Sequence, residues 1–244
     1  MLLIDLHLNT PRQGPGSEAH TRLAMQLAGL DHNRHLAIAD IGCGSGASAR
    51  LLARELDAHV AAVDFSTEFM DELMFHTRQE GISDRVTPLV AFMDDLPFED
   101  GSFDVIWSEG AIYNMGFEKG VAYWKRFLKP GGILVVSELI WLREGRPAEL
   151  QAYWDEGYPG IGIASDKVKS LEGAGYQVTA FFTLPAECWT REYYAPLKDR
   201  MPAFLDRHNH SAEAQVVVDE TLTEIQIFER YSDWYSYGVF VAKC

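Results

Sequence analysis

Two acids and three glycines carry the strongest chemical signal in this chain. Asp40 closes an apolar run, Gly42, Gly44 and Gly46 follow at alternate positions, and Asp64 lies 18 residues beyond Gly46. Glycines at this spacing let the backbone turn tightly and approach a ligand without a Cβ in the way. The helix expected next would offer N–H groups and partial positive charge to an anionic group. Asp64, at the end of a second apolar run, can accept both hydroxyls of a ribose whose other end lies against the glycine turn. These residues describe a nucleoside-type cofactor site. Gly42, Gly44 and Ala47 also fit the dinucleotide pattern G-x-G-x-x-A, so the turn alone does not name the cofactor.

The elements around these residues follow from hydrophobic patterning. Residues 36–41 are apolar without alternation, as in a strand covered on both faces. Ala49, Leu52, Ala53 and Leu56 form one helical stripe. A second strand covers 60–63, and Ser66 is placed to cap a helix carrying Phe69, Leu73 and Met74. Further strands are expected near 86–91, 103–107 and 133–136, with 93–98 a loop. Phe117, Val121, Trp124 and Leu128 mark a helix that Pro130-Gly131-Gly132 stops. Upstream, Ser17 caps a helix with Leu23, Ala24, Leu27 and Leu30 on one face, ending before Asp31. Downstream, helical patterns occupy 147–157, 165–174 and 212–230, and strands 176–183 and 235–242. Repeated strand–helix alternation implies right-handed crossovers and a parallel sheet. The fold class is α/β, doubly wound, read as one domain over 1–244 with a cofactor core at about 34–140 and cap additions at about 141–230.

Asp40 discriminates between cofactors. An acid before the first glycine suits a cationic sulfonium and an α-amino group better than a pyrophosphate. The stretch Asp40-Ile41-Gly42-Cys43-Gly44-Ser45-Gly46 resembles the first motif of class I S-adenosylmethionine-dependent methyltransferases, and Asp64 matches their second. Leu96-Pro97-Phe98-Glu99-Asp100-Gly101-Ser102-Phe103-Asp104 and Leu128-Lys129-Pro130-Gly131-Gly132 look like the segments around their fourth and fifth strands. The whole chain, including 12–17 and 108–114, is similar to bacterial methyltransferases of the type 11 kind.

The resemblance implies a seven-stranded, mostly parallel Rossmann-like sheet with an antiparallel last strand and helical lid additions. It implies S-adenosyl-L-methionine as cofactor and S-adenosyl-L-homocysteine as product. Asp40 and the backbone of Gly42, Cys43, Gly44 and Gly46 would hold the methionine portion, and Asp64 the ribose. Met93 and Asp94 would hold adenine, and Phe65, Ser108 and Arg12 complete the cofactor set. Many relatives carry an acid before the residue matching Met93, where this chain has Phe92.

Methyl transfer is an in-line displacement on an activated carbon, so alignment carries most of the acceleration. A base is needed only for an acceptor that arrives protonated. Ser108, Glu109, Tyr113 and Asn114, after the fourth strand, face the expected methyl position. Glu109, Tyr113 and Asn114 form the candidate catalytic set. Glu109 reads either as base and amine-orienting group or as a loop-bracing carboxylate. Glu138 and Trp141 come next. Trp141, Tyr153, Trp154, Tyr158, Trp189, Tyr193 and Tyr194 read as a lid or cage over an amine or planar ring, or as cap packing. Arg12 and Gln13 either close over the cofactor or form an open entry loop. His208 and His210 lack further ligands nearby, so no metal is expected. Two rival readings stand: an NAD(P)-linked oxidoreductase and a non-catalytic S-adenosylmethionine-binding module.

Acidic residues number 36 against 21 basic ones, giving a net charge of −15. That balance argues against a broad nucleic-acid or anionic-membrane surface and is compatible with cationic ligands. Cys43, Cys188 and Cys244 show no metal spacing and cannot all pair, and the N-terminal residues lack a basic leader pattern. The expectation is a cytoplasmic enzyme with a small-molecule substrate, no nucleic-acid or membrane partner, and compatible with a homodimer.

Overall fold

The apolar runs assemble into one mixed sheet centred on β1 (Leu36–Ile41). The computed structural model describes residues 2–30 and 35–244. Strands β2 (Ala58–Asp64), β3 (Val86–Val90) and β4 (Phe103–Ser108) run parallel to β1. Strand β5 (Leu128–Trp141) continues the parallel set, followed in the chain by β6 (Gly162–Ile163), β7 (Gln177–Thr183) and β8 (Tyr235–Lys243). The order is β3-β2-β1-β4-β5-β8-β7, and β8 is antiparallel to both neighbours. The expected seven strands and antiparallel last strand are present, and β6 makes an eighth. Its two residues pair with Ile140 and Trp141, too short a segment to show any period.

Alternate side chains of the strands feed two cores. Ile38, Val60, Val105 and Trp107 pack on one face with Leu52, Leu73 and Val218. Ala39, Val63 and Ile106 pack on the other with Phe117, Trp124 and Leu171. Burying each large apolar side chain contributes roughly 1.5–3 kcal/mol. The first face is covered by helices α1 (Leu2–His7), α2 (Glu18–Leu27), α3 (Ala47–Glu55) and α4 (Thr67–Glu80). The second is covered by α5 (Phe117–Trp124), with α6 (Ala148–Gly157) returning to the first face and α7 (Ala164–Gly173) to the second. A short α8 (Glu187–Trp189), a π-turn (Thr190–Tyr194) and α9 (Ala195–Arg207) then lead to α10 (Ala212–Tyr231).

Ser17 and Ser66 cap α2 and α4 as their positions predict, accepting from His20 N–H and Phe69 N–H. Helix α2 stops at Leu27, earlier than expected, and Asp31 lies outside the described residues. The helix read to extend to Leu128 ends at Trp124. A 3-10 turn covers Lys125–Phe127, and Leu128 already pairs with Phe103. Pro130 and Gly131 therefore lie inside β5, where the register with β4 shifts between Phe103 and Val105. Helix α1 and the helical run 187–207 have no counterpart in the sequence reading. Among the described residues, no helix is long and apolar enough to cross a membrane.

Candidate active site

Strand order reverses between β1 and β4, and a crevice beyond the carboxyl ends is the expected ligand position at such a point. A cavity of about 640 Å³ opens there. Its walls include Arg12, Asp40, Gly42, Cys43, Gly44, Asp64, Phe65, Met93, Asp94, Glu109, Tyr113 and Asn114. Gly46 and Ser108 stand outside those walls. Gly46 is the left-handed N-cap of α3, where a Cβ would run into Leu73. Ser108 is fully buried and its hydroxyl donates to the Ile41 carbonyl at 2.8 Å, bracing β4 against β1.

The glycine turn differs from an open anion cradle. Gly42 N–H and Cys43 N–H donate to the Val63 carbonyl at 2.8 and 3.0 Å, and Gly46 N–H to Cys43 O at 2.9 Å. Gly44 N–H donates to Asp64 Oδ2 at 2.9 Å, and Ser45 N–H to Gln13 Oε1 at 2.8 Å. All five N–H groups of residues 42–46 are satisfied within the protein, and α3, whose first N–H groups are the expected offer to an anion, begins beyond them at Ala47. Gly42 still needs to be glycine: its φ is +73° and a Cβ would collide with the Ala111 methyl.

Asp40 is 1% exposed, and its Oδ2 has no hydrogen-bond partner. Burial raises its carboxyl well above the usual range, the Glu109 charge adding to the effect, while the Ala49 N–H and Arg12 pull it down. Arg12 Nη2 donates to Glu109 Oε2 at 2.6 Å, yet Arg12 Nε is buried without a partner. An unpaired acceptor and an unpaired donor thus belong to residues lining the same cavity. Glu109 has little capacity left: Oε1 accepts from Thr21 Oγ1 at 2.8 Å and Trp107 Nε1 at 2.9 Å. That arrangement favours the bracing reading of Glu109 over the base. Gln13 caps the glycine turn, so residues 12–14 lie closed over it rather than forming an open entry loop.

Asp64 Oδ1 accepts from Ser66 N–H at 3.0 Å, and burial raises its carboxyl. Burial, with the charges of Asp40 and Asp64, raises the Cys43 thiol well above its ordinary range and keeps it protonated. Phe65 and Phe92 are both exposed, their rings 6.3 Å apart and 10° from parallel at the rim. The Met93 carbonyl accepts from Trp124 Nε1 at 2.9 Å, and Asp94 lies 3.6 Å from Lys119.

Beyond Tyr113 and Asn114 the wall is built by residues the sequence did not single out: His7, Thr221 and Glu224, with Tyr193. His7 Nδ1 donates to the Leu3 carbonyl at 2.8 Å, which leaves Nε2 to accept from Tyr193 Oη at 3.0 Å. Burial lowers the His7 imidazole, so it stands neutral. Only Tyr193 of the seven clustered aromatics lines the cavity. Trp141, Trp154, Trp189 and Tyr194 pack around Tyr235 and Phe228 as cap core. Glu138 is fully buried behind Tyr113, accepting from Tyr158 Oη at 2.6 Å with Lys167 Nζ at 3.7 Å. Burial pushes its carboxyl up to about 7, against the lowering pull of Lys167 and Tyr158. His208 and His210 bind Asp5 and Asp206, and among the described residues no group of three or more His, Cys, Asp or Glu is arranged to hold a metal.

Residues 38–132 match the family described as "Methyltransferase domain". A methyltransferase of Streptomyces halstedii is 34% identical over 128 residues, 52% of this chain and 46% of that protein. A glycine/sarcosine/dimethylglycine N-methyltransferase of Actinopolyspora halophila is 30% identical over 55% of this chain and 24% of its own length. The chain thus spans less than half the length of these relatives. The structure of a methyltransferase from Geobacter sulfurreducens, in complex with S-adenosyl-L-homocysteine, superposes with a TM-score of 0.84, covering 99% of this chain and 96% of that one at 20% identity. At that identity the likeness is one of fold. Motifs in order over 40–132, the strand order with antiparallel β8 and the domain match agree: residues 38–132 match a methyltransferase domain, and the chain is similar to class I S-adenosylmethionine-dependent methyltransferases.

Proposed function

We propose that this chain transfers a methyl group from S-adenosyl-L-methionine to a small-molecule acceptor, leaving S-adenosyl-L-homocysteine. The observation that carries the reading is the pair of unsatisfied groups among the cavity-lining residues. Asp40 Oδ2 lacks a donor and Arg12 Nε lacks an acceptor, which suits the ammonium and carboxylate of an amino-acid end. Asp64, which also lines the cavity and accepts from Gly44 N–H and Ser66 N–H, has further lone pairs for ribose hydroxyls. Phe65 and Phe92 offer ring faces, and Asp94 an acceptor, to a planar base. The bound cofactor would supply a methyl carried on a cationic sulfur. The chain's own part is to seat that methyl beside Tyr113 and Asn114, exclude water with residues 12–14, and leave acceptor space toward Tyr193.

A pyrophosphate cofactor is disfavoured, because the turn N–H groups are occupied and Asp40 and Asp64 flank them. A non-catalytic binding module is disfavoured by the continuation of the cavity to His7 and Glu224. In this reading residues of about 34–140 bind the cofactor, while α1 and the additions after 141 wall the acceptor. The net charge of −15 and three free cysteines support a small substrate handled in a reducing cytoplasm, without nucleic acid. Titration calorimetry of the folded protein tests the reading. S-Adenosylmethionine and S-adenosylhomocysteine should bind and NAD should not; the reverse pattern overturns it.

A further inference from the structure

The acceptor end of the cavity has a charge of its own. Glu224, on α10, is partly buried; its Oε1 accepts from Tyr194 Oη at 2.8 Å, and among the described residues it forms no ion pair. Among the described residues, Arg12 is the only lysine or arginine lining the cavity, and its guanidinium is already held by Glu109. The π-turn that carries Tyr193 and Tyr194 sends the first to the cavity wall beside His7 and the second to Glu224. π-Turns within helices recur where a function constrains the chain. The acceptor end is therefore an aromatic wall with one uncompensated carboxylate and no group to neutralise an anion.

From this we infer that the acceptor is a small amine without a carboxylate of its own, and that Glu224 binds its ammonium and takes a proton from it. The inference rests on the methyl-transfer reading above. An ammonium has no lone pair and cannot attack. Transfer of one N–H proton to the Glu224 carboxylate yields a neutral amine and a carboxylic acid. The amine lone pair then forms the N–C bond to the methyl, and the C–S bonding pair returns to sulfur, which becomes a neutral thioether. The products are a methylated ammonium and protonated Glu224, which loses its proton to solvent. Total charge is conserved. An amino-acid acceptor would bring a carboxylate with no partner, an unfavourable burial.

The titratable groups facing Glu224 come from several elements: Tyr113, Tyr153 on α6, Tyr193 and Tyr194, and Tyr235 and Tyr237 on β8. Burial raises every one of these phenols, so they stay neutral at ordinary pH. Glu220 is one turn away on α10, and burial raises the Glu224 carboxyl above its ordinary value while the hydrogen bond from Tyr194 lowers it.

The test compares the full-length protein with Glu224→Gln, first by calorimetry with S-adenosylhomocysteine alone. Unimpaired binding to both is expected; absence of binding to the wild type would overturn the methyl-transfer reading instead. Benzylamine and ethanolamine are then titrated into the S-adenosylhomocysteine-loaded protein, beside benzyl alcohol and sarcosine. The amines should bind the wild type at least tenfold more tightly than the alcohol or sarcosine, and Glu224→Gln should abolish the preference. Turnover of the same amines should fall at least 100-fold in Glu224→Gln and recover as pH approaches the amine's own pKa. Cofactor binding without amine preference, or a Glu224→Gln variant equal to wild type, overturns the inference.

Discussion

Gln13 and Ser45, 32 residues apart in the chain, are joined by two hydrogen bonds: Gln13 Oε1 accepts from Ser45 N–H at 2.8 Å and from its hydroxyl at 3.1 Å. The same amide donates from Nε2 to Thr10 Oγ1 at 3.3 Å within its own segment, so Gln13 ties the segment after α1 to the start of α3. Segment and glycine turn therefore form one wall of the cavity. Gln13→Ala removes the tie at a cost of about 1 kcal/mol. S-Adenosylhomocysteine affinity should weaken several-fold by calorimetry with the melting temperature little changed. An unaltered Kd would mean that the segment does not help hold the cofactor.

Arg12 and Glu109 form the second tie across the same gap, with side chains 10% and 16% exposed. Removing either partner strands a largely buried charge, which costs about 3 kcal/mol. Arg12→Ala and Glu109→Gln should each lower urea-unfolding stability by about that amount. The double variant should lose less than the sum, because no charge is left unpaired. Strict additivity would show that the pair is not coupled. Full activity and cofactor affinity in Glu109→Gln would remove Glu109 from the catalytic set.

Glu138 gives the fold a pH dependence. Its carboxyl moves from an ordinary 4.5 to about 7 on folding, so the folded chain holds this proton where the unfolded chain has released it. Stability should therefore fall as pH rises between those values. Over the full window the loss is about 3 kcal/mol for this group. Glu138→Gln cannot ionise, and it should flatten the stability–pH curve between pH 5 and 8 relative to wild type. Parallel curves for the two proteins would rule out the raised carboxyl.

Local signals in the sequence located the turn, the two acids and most strands, because each is encoded within a few residues. Asp40 is the next-to-last residue of β1 and Asp64 the last of β2, both strands being otherwise largely apolar, so their positions at the carboxyl edge follow directly. The far wall of the cavity was only partly legible: Tyr193 stood among the candidate cage aromatics, whereas His7 and Glu224 come from helical segments with no motif of their own, and only packing brings the three together. Glu109 could be read as base or as brace because its partner Arg12 is 97 residues away. Leu128 misled for a different reason: the last apolar residue of a helical stripe and the first of a buried strand are the same residue type. Nothing local announces Gln13 or Asp64 as acceptors for the N–H groups of the turn, so these two contacts were not legible either.

Asp40 links cofactor binding to pH, and the sign follows from its surroundings. In the free protein, burial and the Glu109 charge favour the neutral carboxyl. An ammonium placed against Oδ2 favours the ionised form, so binding should expel a proton wherever Asp40 is still protonated. Affinity for S-adenosylhomocysteine should rise with pH through the Asp40 titration and level off above it. Calorimetry in two buffers of different ionisation enthalpy measures the released proton directly. Asp40→Asn should bind more weakly by about 2 kcal/mol, roughly thirtyfold in Kd, and release no proton on this account. Proton release of equal size from Asp40→Asn, or uptake by the wild type, would place the ammonium elsewhere and leave the unpaired Oδ2 without its ligand.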